Sequence, residues 1–176
     1  MIKNLLTILL KFLGLRIAGK TNTEREDDMV ILSSVFNQLK LREQATAYAM
    51  SFIGTPYMWG GNGPFFDCSG FACEIMKAFG KLKPTEDLSA EQLKSKFIMV
   101  NQPSEGCLVF FYNTAKTKIT HVEYCINDIL SIGASGGGSM TLSLPDALRD
   151  HAFVQIRPIN RDRAIACYAD PFKEVN

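Results

Sequence analysis

The chain has 176 residues, 47% of them hydrophobic, enough to bury one substantial core with little room for a second domain. Nineteen Lys and Arg stand against eighteen Asp and Glu, a net charge of +1, so there is no electrostatic footprint for nucleic acid and that class of partner is excluded. Five cysteines (68, 73, 107, 125 and 167) show no CxxC spacing and only two histidines accompany them. No metal site and no cofactor is expected from such a set, and an odd, scattered group is not the framework of a disulfide-rich secreted domain. Cys73, Cys107, Cys125 and Cys167 are expected to be buried thiols of a protein made in a reducing compartment.

Residues 1–18 are strongly apolar but interrupted by Lys3 and Lys11, too short a charge-free run to span a bilayer and a poor signal peptide. Lys3, Thr7, Lys11 and Gly14 fall on one side of a helix, with Leu5, Leu6, Ile8, Leu9, Phe12, Leu13 and Leu15 on the other. The expectation is an amphipathic N-terminal helix that docks on protein, with a membrane surface as the second choice. Residues 1–25 thus form a helix and linker, 26–160 a domain, and 161–176 a tail. Thr23 with Glu26 resembles a capping box, and helical patterning continues to about Ile53, where Gly54-Thr55-Pro56 stops it.

A loop rich in glycine and proline then leads to Asp67-Cys68-Ser69-Gly70-Phe71. Apolar residues at Phe71, Ala72, Ile75, Met76 and Phe79 predict a helix from Cys68 to about Phe79, closed by Gly80. A thiol at a helix N-terminus faces the positive end of the backbone dipole, which favours thiolate and can lower its pKa from about 8.5 toward roughly 3.5–7.5. Ser89 and Gln92 cap a short helix over Ala90–Lys96. Strands are predicted over Cys107–Tyr112, Thr120–Ile126, Ile129–Ala134 and Phe153–Ile159, with a short helix at Pro145–Arg149. Helices first and strands later give an α+β domain with a mostly antiparallel sheet.

A cysteine nucleophile needs a base. His151 sits in the polar stretch Arg149-Asp150-His151, a surface setting, whereas His121 opens a strand and is the better candidate. The full pattern is Gly54-Thr55-Pro56-Tyr57-x-Trp59-Gly60-Gly61, then Asp67-Cys68-Ser69-Gly70-Phe71, then His121-Val122. It resembles the NlpC-type cysteine peptidases, papain-like peptidoglycan hydrolases of bacteria and their phages, over about residues 43–160. The resemblance implies a papain-like α+β fold, N-terminal helices with the cysteine-bearing helix packed on an antiparallel sheet. It also implies cleavage of peptidoglycan stem peptides, usually between D-γ-glutamate and a diamino acid. Carried over by position, Cys68 is the nucleophile and His121 the base. Tyr57, Asp67 and Ser69 line the substrate pocket, the last two helping to hold the stem peptide's free amine. Asp67 also suits an N-cap.

The family usually supplies a third polar residue to orient the histidine, on the strand after it, and here that position falls on Gly133. Three replacements are open. Glu123, two residues beyond His121, shares its face of the strand and is preferred. Ser131 and Ser135 share the face of position 133, and an ordered water is the third choice. The stretch Ser131–Gly138 is similar to phage-encoded versions of the family. These expectations describe an endopeptidase for lysis or for wall penetration from a virion tail, made in the cytoplasm and acting at the cell wall. The alternative is an inactive papain-like module with a structural or peptide-binding role in a virion. Virion or tail proteins, or a membrane surface, are the expected partners of the N-terminal helix.

Overall fold

The computed structural model describes residues 22–173; the N-terminal amphipathic helix expected over 1–18 lies outside them. The chain divides into two compact units, Met1–Lys40 and Leu41–Asn176. Helix α1 covers Asn22–Met50, so Thr23 and Glu26 lie within it, not at its head. Over residues 22–40 it exposes Met29, Val30, Ile31, Phe36 and Leu39. No helix among the described residues is long and apolar enough to cross a membrane.

The second unit is built on an antiparallel six-stranded sheet. After α1 come α2 (Cys68–Ala78), α3 (Ala90–Lys96), β1 (Ile98–Val100), β2 (Leu108–Tyr112), β3 (Ile119–Cys125), β4 (Leu130–Ser135), α4 (Leu144–Arg149), β5 (Phe153–Pro158) and β6 (Ile165–Asp170). The strand order is β1-β6-β2-β3-β4-β5. The α+β expectation therefore holds, with each predicted strand within a residue or two of its place.

Alternation along the strands sorts side chains into two cores. Leu108 and Phe110 of β2, Val122 and Tyr124 of β3, and Ile132 and Ala134 of β4 pack with Phe71, Ala72, Ile75 and Met76 of α2. Cys107, Val109, Phe111 and Cys125 form a smaller cluster with Ile159, Ile165 and Tyr168. Helix α2 is amphipathic, lies against β3 and β4, and ends at Phe79, with Gly80 at a φ of 67° that favours glycine.

The residues assigned to a tail are the main correction. Residues 165–170 form β6, which pairs with both β1 and β2 and lies inside the sheet. Its end is fixed by Arg42, whose Nη2 donates to both oxygens of Asp170 at 2.9 and 2.8 Å while Nη1 donates to the Glu105 carbonyl. The short strand β1 was also missed. Ile-Met-Val and Ile-Ala-Cys-Tyr-Ala-Asp carry too little alternation to be told from loop by pattern alone; pairing partners far away in the chain decide them.

Candidate active site

Asp67 is the N-cap of α2. Its Oδ1 accepts from the Gly70 N–H at 2.8 Å and from the Ser69 hydroxyl at 2.9 Å, and its Oδ2 accepts from the Gly60 N–H at 3.1 Å. One carboxylate thus caps the helix, orients the serine and ties down the loop before it. That loop lies directly on the first turn: a Cβ on Gly70 would collide with the Gly61 carbonyl oxygen, which is why the residue two places after the cysteine must be small. Gly60, Gly61, Asn62, Asp67, Ser69 and Asp87 border a cavity of about 200 Å³.

Cys68, the first residue of α2, faces β3. Its Sγ lies 3.9 Å from the Thr120 carbonyl oxygen, with the backbone N–H groups of Val122 and Ser69 close enough to favour its charged form. The sheet makes room for it. Strand β3 pairs with β4 only at Tyr124 and Cys125, while β4 continues alongside β5 as far as Ser135. The strands splay beyond Tyr124, and the edge of β3 from Thr120 to Val122 is left to the head of α2. Cys68 thus comes up against the backbone on either side of His121.

His121 is buried, with its ring against Phe111 at a centroid distance of 5.8 Å. Its Nε2 is 2.9 Å from Oε1 of Glu123, a residue with 1% exposure. Glu123 is itself fully engaged: Ser131 donates to Oε2 at 2.6 Å and Arg161 Nη2 donates to Oε1 at 2.8 Å. Gly133 explains how the carboxylate reaches this place. A Cβ at position 133 would sit 2.5 Å from Cγ of Glu123. The side chain of Glu123 thus lies where a side chain at 133 would otherwise stand.

Of the three replacements left open by the sequence, the geometry brings Glu123 to the imidazole. Ser131 serves the carboxylate, not the ring, and Ser135 is buried nearby. His151 is exposed and stands apart from this group. Tyr57 is buried against Gly137, and its phenol is raised by burial and by the neighbouring Cys68 and Asp67, which puts it beside the thiol. Trp59 is half exposed on the loop. Arg161 and Arg163 were not legible in the sequence: Arg161-Asp162-Arg163 follows the last predicted strand and resembles any polar turn.

The electrostatics correct one expectation. Burial, then the Asp67 carboxylate, pushes the Cys68 thiol up to about 11 despite the N–H groups around it. Burial likewise lowers His121, against the hydrogen bond and charge of Glu123. Glu123 is held below the ordinary carboxylate range: burial alone would raise it, but His121, Arg161 and Ser131 outweigh that. Burial thus favours the uncharged form of both groups, against the pull of the helix dipole on the thiol. With a carboxylate accepting at Nε2, that nitrogen carries the proton and Nδ1 is the basic one.

A cysteine at a helix head, a strand histidine and a buried carboxylate on an antiparallel sheet define a papain-like thiol–imidazole–carboxylate site. Residues 54–157 match the NlpC/P60 family, and the chain belongs to it. It is 38% identical over 92 residues to a gamma-D-glutamyl-L-lysine dipeptidyl-peptidase of Bacillus subtilis, covering 51% of this chain and 27% of that protein. It is 30% identical over 110 residues to dipeptidyl-peptidase 6 of Lysinibacillus sphaericus, covering 62% of this chain and 38% of that one. The fold is similar to an NlpC/P60 family protein of Bacillus cereus, with a TM-score of 0.59 at 24% identity over 75% of this chain and 40% of that one. It is also similar to the peptidoglycan hydrolase RipB of Mycobacterium tuberculosis, with a TM-score of 0.57 at 21% identity over 95% and 78% of the two chains. The match to these two curated relatives covers well under half of their length.

Proposed function

We propose that the chain is a cysteine peptidase that hydrolyses peptidoglycan stem peptides at the bond between D-γ-glutamate and a diamino acid. The observation that carries this is the 2.9 Å bond between His121 Nε2 and Glu123, made in the space that Gly133 leaves. It supplies the orienting group whose apparent absence would otherwise favour an inactive module. Family membership and the 38% identity to a gamma-D-glutamyl-L-lysine dipeptidyl-peptidase support the bond chosen.

In this mechanism His121 Nδ1 takes the Cys68 proton as Sγ attacks the γ-glutamyl carbonyl. Glu123 steadies the imidazolium that forms. The Cys68 N–H, at a helix start without an intrahelical partner, is the oxyanion donor. His121 then protonates the leaving amine, and water releases the acyl group from sulfur with the same base. Asp67 and Ser69 recognise the free amine of the stem peptide through the small cavity beside them, and Tyr57 closes that side. The enzyme acts at the cell wall. Lysis of a host or local wall penetration by a phage is the setting that the Ser131–Gly138 stretch suggests.

The test is digestion of purified peptidoglycan and of short stem peptides, with products identified by mass spectrometry. New ends at the γ-glutamyl–diamino acid bond, absent with Cys68→Ala, are expected. A folded wild type that releases nothing would overturn the proposal in favour of a binding module.

A further inference from the structure

A second and larger cavity, about 800 Å³, opens on the other flank of Cys68. It lies between the β2–β3 hairpin and the residues that follow β5, and its walls include Lys116, Thr120, Arg157, Arg161, Asp162 and Arg163. It shares no wall residue with the small cavity at Asp67 and Ser69. The thiol stands between the two. Its chain neighbours Asp67 and Ser69 border the small one, and Thr120, whose carbonyl Sγ touches, borders the large one.

Four cations against one acid is a strong local excess in a chain whose overall charge is +1. Arg161 is neutralised by Glu123 at 2.8 Å. Among the described residues, no hydrogen bond or ion pair engages the side chains of Lys116, Arg157 or Arg163. Arg163 is the most telling. Its guanidinium stacks over Phe111 with 5.6 Å between Cζ and the ring centroid, and it lies within electrostatic reach of Glu123 and Cys68. A half-buried guanidinium with an aromatic shelf beneath it and its donors unengaged is preorganised for a planar anion. Arg161 shares that shelf at 4.6 Å, so the two guanidinium groups are held together against their mutual repulsion.

The two flanks thus have opposite polarity, carboxylate on one side of the thiol and guanidinium on the other. We propose that the basic cleft is the subsite for a carboxylate carried by the peptide on the leaving side of the scissile bond. The site then reads a short peptide by both ends, free amine toward Asp67 and carboxylate toward Arg163, with the susceptible carbonyl at Cys68. This inference rests on the peptidase reading for its direction along the substrate. A carboxylate is the favoured ligand because the cleft's walls are cationic, it reaches Thr120 beside the thiol, and it is large enough for one or two residues of a peptide.

The experiment compares L-alanyl-γ-D-glutamyl-L-lysine with its C-terminal carboxamide. For the wild type, amidation is expected to lower kcat/KM about tenfold, mainly through KM, as loss of one charge-assisted pair in a partly shielded site predicts. In Arg163→Gln the ratio of acid to amide should collapse toward one, and Lys116→Gln, an exposed change that leaves the fold alone, should reduce it partway. Equal rates on acid and amide by an active wild type would overturn the cleft assignment and leave the peptidase standing. Binding of the same two peptides to Cys68→Ala, by calorimetry, separates the other failure. Preference for the acid without turnover by the wild type would keep the subsite and remove the peptidase. Equal binding, or none, would remove the subsite.

Discussion

At the head of α2 the functional groups are fixed by near neighbours in the chain: Asp67 caps the helix it precedes, holds Ser69 two residues on, and ties back the loop at Gly60. Across the β3–β4 splay they are fixed by residues far apart. Glu123 is held by Ser131, by Arg161 from beyond β5, and by a gap at Gly133. The first region is a local motif that tolerates little variation in spacing. The second is a space that several different residues can fill, provided a carboxylate or other acceptor ends beside Nε2. The family's chemistry can therefore keep its nucleophile motif while moving its orienting group from one strand to the next.

The largest effect expected is on the nucleophile. Cys68→Ala should reduce stem-peptide hydrolysis by about 10⁴-fold or more, read by product formation over long incubation. Next is the neutral state of the pair. With the thiol near 11, alkylation of Cys68 by iodoacetamide should climb roughly tenfold per pH unit between neutrality and that value. A plateau already reached at neutral pH would instead reveal an ion pair and return the advantage to the helix dipole. In the same neutral pair, kcat/KM falls at low pH as His121 gains a proton, at a pKa below the ordinary 6.5. The stability sign agrees. A histidine whose folded pKa is depressed contributes stability that is present above 6.5 and lost as the pH drops through its folded value.

On the strand side, Glu123→Gln should cost on the order of 10²-fold in kcat/KM. It should also move the acid limb further down, because the carboxylate is what raises His121. Unchanged activity would show that the carboxylate is only a packed residue. Gly133→Ala tests the gap itself. The added methyl would lie 2.5 Å from Glu123 Cγ, so the carboxylate must shift, with a loss of about 1–3 kcal/mol in denaturant unfolding and a lower kcat. The smallest change is on the helix side. Asp67→Ala should cost about 1 kcal/mol of stability through the lost cap. Asp67→Asn should keep much of the cap while lowering the thiol pKa, since the Asp67 charge is second only to burial in raising it.

The helix head was legible because every contact that defines it lies within a dozen residues: the glycines, the cap and the cysteine are one continuous phrase. His121 was legible by elimination between two histidines. Glu123 was half legible, since strand periodicity put it on the correct face of β3 but left it open whether its carboxylate met the ring or solvent. Ser131 was considered for the ring and turned out to serve Glu123. The Arg161–Arg163 wall and β6 were not legible at all. Their roles come from folding the end of the second unit back between β1 and β2, and no local pattern encodes a pairing partner that distant.

The sequence by itself determined the α+β class and the helix that begins at Cys68, and it put forward the thiol and imidazole of the proposed mechanism, because capping, periodicity and turn chemistry act over a few residues. The tertiary structure alone decided that burial works against the helix dipole at the thiol, that Glu123 occupies the space left by Gly133, and that basic side chains gather on one flank of Cys68. Burial, strand register and cross-sheet contacts depend on which distant segments meet, and those are properties of the folded chain.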